Sequence, residues 1–409
     1  MTTANLAEKA DHYLRKLCRD IHTRQVGSAG NRMATDFFAQ VLASHGFTTE
    51  SRTFECMDWS AEEVSLETAG KRFQAFASPY SPGCQVQARL AVCASTGELE
   101  AVEAENKVLL LRGELAKEQL MPKNFPFYTS EEHQRIIRLL EAGRPAAVLT
   151  ATGRNPQMAG AVYPFPMIED GDFDIPSAYM TEAEGCRLAL EEGREIALTI
   201  PARRIPAQSC NVSGKKCGGA ARRVALMAHI DAKIGSPGAL DNATGVTTLL
   251  LLAGLLEAYA GKLEIDITAI NGEDYYSTPG EQLFLKVNEG RFDEIVLGIN
   301  LDGVGFRQGQ TNFSLYGCPP EISALARQTF AEFPGLAEGE PWYQGDHGMF
   351  LIHETPALAF TSENVMEIMT GYAHTAGDTP EVVDPQKLVE LARALHAFLL
   401  RLEAAVQTP

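Results

Sequence analysis

Positive charge is scarce in this chain: 35 Lys and Arg stand against 53 Asp and Glu in 409 residues, a net charge of −18. Nucleic acids and anionic membrane surfaces are held chiefly by basic side chains, so neither is an expected partner. Long apolar runs are missing too. The longest, Val246 to Leu255, is broken by threonines and a glycine, and a bilayer-spanning helix needs about 20 residues. The N-terminus, from Met1 to His12, has no apolar stretch of signal-peptide length, which predicts a cytoplasmic protein. The eight cysteines (18, 56, 84, 93, 186, 210, 217 and 318) form no Cys-x-x-Cys pair and are expected to be buried reduced thiols. No internal repeat or low-complexity segment stands out. What remains is ordinary for a globular protein: 45% hydrophobic and 22% charged residues exclude the disordered and fibrous classes.

The length suggests two or three domains, or one large domain carrying an insertion. Two amphipathic helices are expected at 4–21 and 29–45, then a strand from Phe47 to Glu55. Residues 60–205 have a different texture, with short strands separated by turns and only two helices, near 129–142 and 181–192. The charge-rich stretch 93–105 reads as a solvated loop. From 222 onward apolar strands alternate with helices. The expected fold is therefore α/β, a mostly parallel mixed sheet covered by helices on both faces, with a catalytic domain of 1–59 and 206–409 and an inserted β-rich domain of 60–205.

In such sheets ligands gather at the carboxyl ends of the strands. Three strand ends here deliver ionisable groups: His229 and Asp231 after Val-Ala-Leu-Met-Ala, Glu273 and Asp274 after Ile-Asn-Gly, and Asp302 after Ile-Asn-Leu. Two loops that each precede a helix add Asp241 and His374. Two imidazoles with three carboxylates form a mixed nitrogen and oxygen ligand set, which suits zinc and tolerates cobalt or manganese. A pair of such ions bridged by a carboxylate is a site type used to split amide bonds, with a further carboxylate taking the proton of water. Adjacent Glu273 and Asp274 fit that division, one acting as base and one as ligand. Asp231, two residues after His229, is placed to accept its second ring N–H. Each residue also has an ordinary reading: Asp241 as a helix N-cap, Asp231 and Asp302 as turn residues.

The ordered motifs His229-x-Asp231, Gly238-Ala-x-Asp241-Asn-Ala-x-Gly245, Glu273-Asp274, Asn300-x-Asp302 and His374-Thr resemble those of metallopeptidase family twenty-eight. That family includes co-catalytic zinc aminopeptidases and glutamate carboxypeptidase-like enzymes. The resemblance extends to the early Gly27-Ser-Ala-Gly-Asn segment and to Asp346-His347, and residues 60–205 look more loosely like a protease-associated insert. It implies two zinc ions per chain, one held by His229 and Asp302, the other by Asp274 and His374, with Asp241 bridging and Glu273 as general base. The implied activity is that of an exopeptidase on short peptides, foremost an aminopeptidase. A carboxypeptidase or N-acyl amino acid amidohydrolase on the same site, and a catalytically inactive binding protein, are the competing readings; the presence of all five ligands and the base argues against the last. A homo-oligomer is left open. The chain departs from the family at Asp274, where glutamate is frequent, at Tyr275 and Tyr276, and at Ala373 before the last histidine, which leaves the metals or Tyr372 to polarise a carbonyl.

Overall fold

The computed structural model describes residues 3–152, 167–216 and 222–406. The chain folds as two compact units, Met1–Cys56 with Gln208–Pro409, and Met57–Ala207. It opens with helices α1 (Thr3–Arg15) and α2 (Ala29–Ser44) and strand β1 (Thr48–Ala61). The expected single helix over 4–21 instead passes into a wider π turn at Lys16–Asp20.

Within the second unit lie β2 (Ser65–Thr68), β3 (Lys71–Arg72), β4 (Phe76–Ala77), β5 (Cys84–Cys93), α3 (Thr96–Ala101), β6 (Val108–Leu111), α4 (Glu131–Gly143), β7 (Ala147–Thr152), β8 (Ser177–Thr181), α5 (Glu182–Ala189) and β9 (Glu195–Ile200). Their sheet runs in the order β3-β2-β9-β5-β6-β7-β8-β4, parallel from β5 through β8 and antiparallel on either side. Stretch 93–105 is not simply a solvated loop. It contains α3, capped where the Ser95 hydroxyl accepts from Glu98 N, and it buries Leu99 against Leu109, Leu111 and, from α4, Ile136 and Leu140.

The chain returns through β10 (Ala202–Lys216) to β11 (Arg223–His229), α6 (Thr244–Leu255), β12 (Glu264–Ile270), α7 (Pro279–Val287), β13 (Ile295–Leu301), β14 (Thr311–Tyr316), α8 (Pro320–Phe330), β15 (Leu336–Glu338), α9 (Gly348–Leu351), β16 (Ala357–Ser362), α10 (Val365–Gly371) and α11 (Pro385–Val406). The sheet order is β1-β10-β12-β11-β13-β16-β14-β15, with a parallel centre of β12, β11, β13 and β16 between antiparallel neighbours β10 and β14.

Side-chain alternation explains why both faces of this sheet are covered. Val224, Leu226 and Ala228 join the core built with α1, α2, α6, α8 and α11, whereas Ala225 and Met227 join a smaller core with Phe284 of α7 and Phe350 of α9. On β13, Gly298 allows the close approach of that second layer, since a Cβ there would lie 2.3 Å from the Phe350 ring. Because β11, β12 and β13 run parallel in register, with His229 opposite Ile270 and Met227 opposite Asn300, their carboxyl ends finish at one level. Of the seven described cysteines, only Cys18 and Cys93 are buried as expected, four are partly buried and Cys186 is exposed; Cys217 lies outside the described residues.

Candidate metal centre

The last residue of β11 is His229, fully buried, with its Nε2 3.0 Å from Asp241 Oδ1 and 3.7 Å from Asp302 Oδ1. His374 Nε2 stands 2.8 Å from Asp241 Oδ2 and 3.0 Å from Asp274 Oδ1. One carboxylate therefore turns its two oxygens toward two different histidines, each backed by a second aspartate. Local folding sets this up. Asp241 and Asn242 leave helical geometry before α6, with Asp241 at φ −122° and ψ 83°. Asn242 rather than Asp241 does the work at the helix start: its Oδ1 accepts from Gly245 N at 3.0 Å and its Nδ2 donates to Leu301 O at 2.7 Å. The Asp241 side chain is left to face the imidazoles. His374 sits at φ +61°, a conformation that a non-glycine residue keeps when its surroundings impose it.

Burial alone would lower the pKa of His229, but the carboxylates of Asp231, Asp241 and Asp302 outweigh it and hold it well above the ordinary value. His374 is raised well above it in the same way, by Asp274 and Asp241 against burial. Asp241 shows the converse: burial would raise it, and the two imidazoles hold it well below the usual carboxylate range. Burial pushes Asp302 up. Glu273 is pushed well above its ordinary value by burial, with the charges of Asp274, Asp302 and Asp346 adding to the effect. This cluster of acids attracts positive charge. Its donor set fits divalent cations: ligand atoms of His229, Asp241 and Asp274 lie within 4.8 Å of one another, and Asp274 Oδ2 is buried with no hydrogen-bond partner.

Residues 211–399 match peptidase family M28. This part of the chain belongs to that family. No curated protein matches the chain. Among solved structures, the chain is similar to a zinc aminopeptidase from Bacillus subtilis, with a TM-score of 0.75 and 18% identity over 97% of this chain and 94% of that one. An aminopeptidase from Aneurinibacillus sp. strain AM-1 aligns with a TM-score of 0.72 and 20% identity over 97% and 93%. Porphyromonas gingivalis glutaminyl cyclase aligns at 0.54 and 15% identity over 97% and 98%. At these identities the likeness shows a shared fold.

Other parts of the M28 unit refine the expected arrangement. Asp231 Oδ1 is 3.6 Å from His229 Nδ1, long for a hydrogen bond, and its two oxygens accept from Gly272 N at 2.7 Å and Asp274 N at 3.1 Å. It thereby ties the end of β11 to the Glu273–Asp274 loop. The Tyr372 ring packs against Phe306, and buried Tyr275 packs against Tyr276 with ring centroids 4.5 Å apart. Sequence reasoning gave no role to Glu281, on α7, which burial and the neighbouring Glu273 push up to about 8. Nor did it give one to Asp378, fully buried, whose carboxylate accepts from the backbone of the Asp241 loop. A signal for Asp378 was present: an acid four residues after a candidate ligand, in the same loop.

Proposed function

We propose that this protein is a zinc-dependent exopeptidase, foremost an aminopeptidase that releases N-terminal residues from short peptides. The observation that carries the reading is Asp241, a single carboxylate facing both His229 and His374. In this reading His229 and Asp302 hold one ion, Asp274 and His374 the other, and Asp241 serves both. Zinc ions, when bound, lower the pKa of water and polarise a carbonyl oxygen. Glu273 accepts the proton of the attacking water and returns it to the leaving amine, as a positioned carboxylate beside the cleavage site can. Asp231 holds the Glu273–Asp274 loop through backbone amides. A free α-amine on the substrate suits this acidic rim, and the similar structures described as aminopeptidases support the amino-terminal direction.

The test is metal analysis of purified protein combined with a panel of aminoacyl, N-acyl amino acid, C-terminal and N-terminal glutaminyl substrates. Aminoacyl hydrolysis lost on chelation and restored by zinc supports the reading. Cleavage confined to N-acyl or C-terminal substrates moves the enzyme to an amidohydrolase or carboxypeptidase, cyclisation of the glutaminyl substrate moves it to a cyclase, and full activity after exhaustive chelation removes the metal. In the same reading the inserted unit, Met57–Ala207, is a protease-associated-like module that limits peptide length and supplies no ligand. A soluble, metal-loaded variant without it that cleaved short and long peptides in the parent's ratio would end that part of the proposal.

A further inference from the structure

The loop that carries Asp241 is held by a buried arginine on one side and a buried aspartate on the other. Arg24, only 2% exposed, donates from Nη1 to Pro237 O at 2.7 Å and from Nη2 to Gly238 O at 2.7 Å. Its remaining bonds, Nε to Ile230 O and Nη1 to Leu17 O, both 2.8 Å, anchor it to the segment just beyond β11 and to the N-terminal helical region. Asp378 works on the other half of the loop. Its Oδ1 accepts from Leu240 N at 2.7 Å, its Oδ2 from Asp241 N at 3.1 Å, and its backbone carbonyl from Ala239 N at 3.1 Å.

The five residues Pro237–Asp241 thus have their carbonyls bound at one end and their amides at the other. Their shape is one the chain would not take unaided. Gly238 is left-handed at φ +60°, and a Cβ there would lie 2.7 Å from Arg24 Nη2 and 2.5 Å from Asp241 O. Asp378 also belongs to the loop of His374, so one residue keys the loops of two candidate ligands to each other. Neither Arg24 nor Asp378 is among the groups that face one another across the centre.

We infer that Arg24 and Asp378 are positioning residues that aim the Asp241 carboxylate between His229 and His374. The inference rests on the metallopeptidase reading for its consequence and on backbone hydrogen bonds for its mechanism. Outer partners of metal ligands commonly govern metal affinity or activity by about 10–100-fold. A charge-preserving Arg24→Lys places one ammonium where a planar fork spans four carbonyls. Asp378→Asn keeps the shape but turns an N–H toward one of the amide donors it should accept.

Both variants are made in the full chain and compared with the parent by three measurements: amide hydrogen exchange of the stripped protein, zinc affinity by chelator competition, and kcat and KM. The expected result is at least about tenfold faster exchange at Leu240 and Asp241 with Val224–Ala228 unchanged, zinc held about 10–100-fold more weakly, and a fall in kcat larger than any change in KM. A merely structural role would lower the melting temperature while leaving zinc affinity and kcat per folded molecule within twofold of the parent, and that result overturns the inference. Unchanged exchange at residues 239–241 in a folded variant overturns it too. If Asp378→Asn does not fold, Arg24→Lys carries the same three readouts. If the parent itself binds no zinc and ignores chelators, the metallopeptidase reading fails, and the exchange data still decide whether the two residues hold the loop.

Discussion

Both units bury acidic side chains, and those of the candidate centre are compensated differently from those of the inserted unit. In the inserted unit backbone amides and cations meet the burden: Asp170, 4% exposed, accepts from Lys123 N at 2.6 Å and Asp172 N at 2.7 Å, and buried Glu191 pairs with Lys71 and Arg194, although its Oε2 makes no hydrogen bond. In the M28 unit, Asp241, Asp274 and Asp302 face two imidazoles and one another, and Asp274 keeps a buried oxygen with no hydrogen-bond partner. A buried charge costs stability unless it is paired, so the second arrangement makes sense where a cation is to be received. The lesson is that burial of acids is not the signature of a site. Acids gathered around two imidazoles, with one carboxylate facing both, are.

The sharpest way to break this contrast is Asp241→Ala, which removes the one carboxylate serving both histidines. Zinc content should fall from about two ions per chain toward none, with hydrolysis at background; retention of both ions would show that Asp241 is not shared. Glu273→Gln should have the next largest effect. The amide keeps the shape but accepts no proton, so kcat should drop about 10²–10⁴-fold with metal content unchanged. Loss of the ions from this variant would make Glu273 a ligand instead.

A pH-dependent effect on stability follows from Glu281. Its folded pKa of about 8 lies above the ordinary 4.5, so the folded chain binds the extra proton between those values. Stability from this group is present below pH 4.5 and is lost as pH rises through about 8. In metal-free protein, Glu281→Gln should therefore raise the melting temperature more at pH 8.5 than at pH 5, to an extent set by the size of that shift, and an equal rise at both values would refute the assignment. The smallest functional effect belongs to the inserted unit: Asp170→Asn should cost about 1–3 kcal/mol of stability by denaturant unfolding while zinc content and kcat stay within twofold.

The alternation of apolar strands and helices after residue 222, and the gathering of His229, Asp274 and Asp302 at one rim, were legible because both follow from local periodicity and from parallel strands ending together. The edges of the sheet were harder. Strand β14 pairs antiparallel with β16 and shows alternation at Phe313 and Leu315, but it is short and lies between the left-handed turns at Gly309 and Gly317. Asn242 taking the helix start from Asp241 could not be told from two adjacent residues that both favour that position. Arg24 was hidden for a different reason, and Asp378 was marked only by its place in the loop of His374. Their bonds to the Asp241 loop run to backbone atoms 214 and 137 residues away, a carbonyl that accepts from Arg24 and an amide that donates to Asp378, and a backbone partner leaves no side-chain pattern at its own position.

The proposed function requires two zinc ions held by His229, Asp241, Asp274, Asp302 and His374. That requirement is put to the test by adding zinc to the chelator-stripped 409-residue chain while following bound metal and aminoacyl hydrolysis together. Binding of about two ions per chain, with activity returning as the sites fill, is the predicted result. Full activity in the stripped protein, or restored activity with no stoichiometric binding, would show that hydrolysis does not depend on a zinc pair.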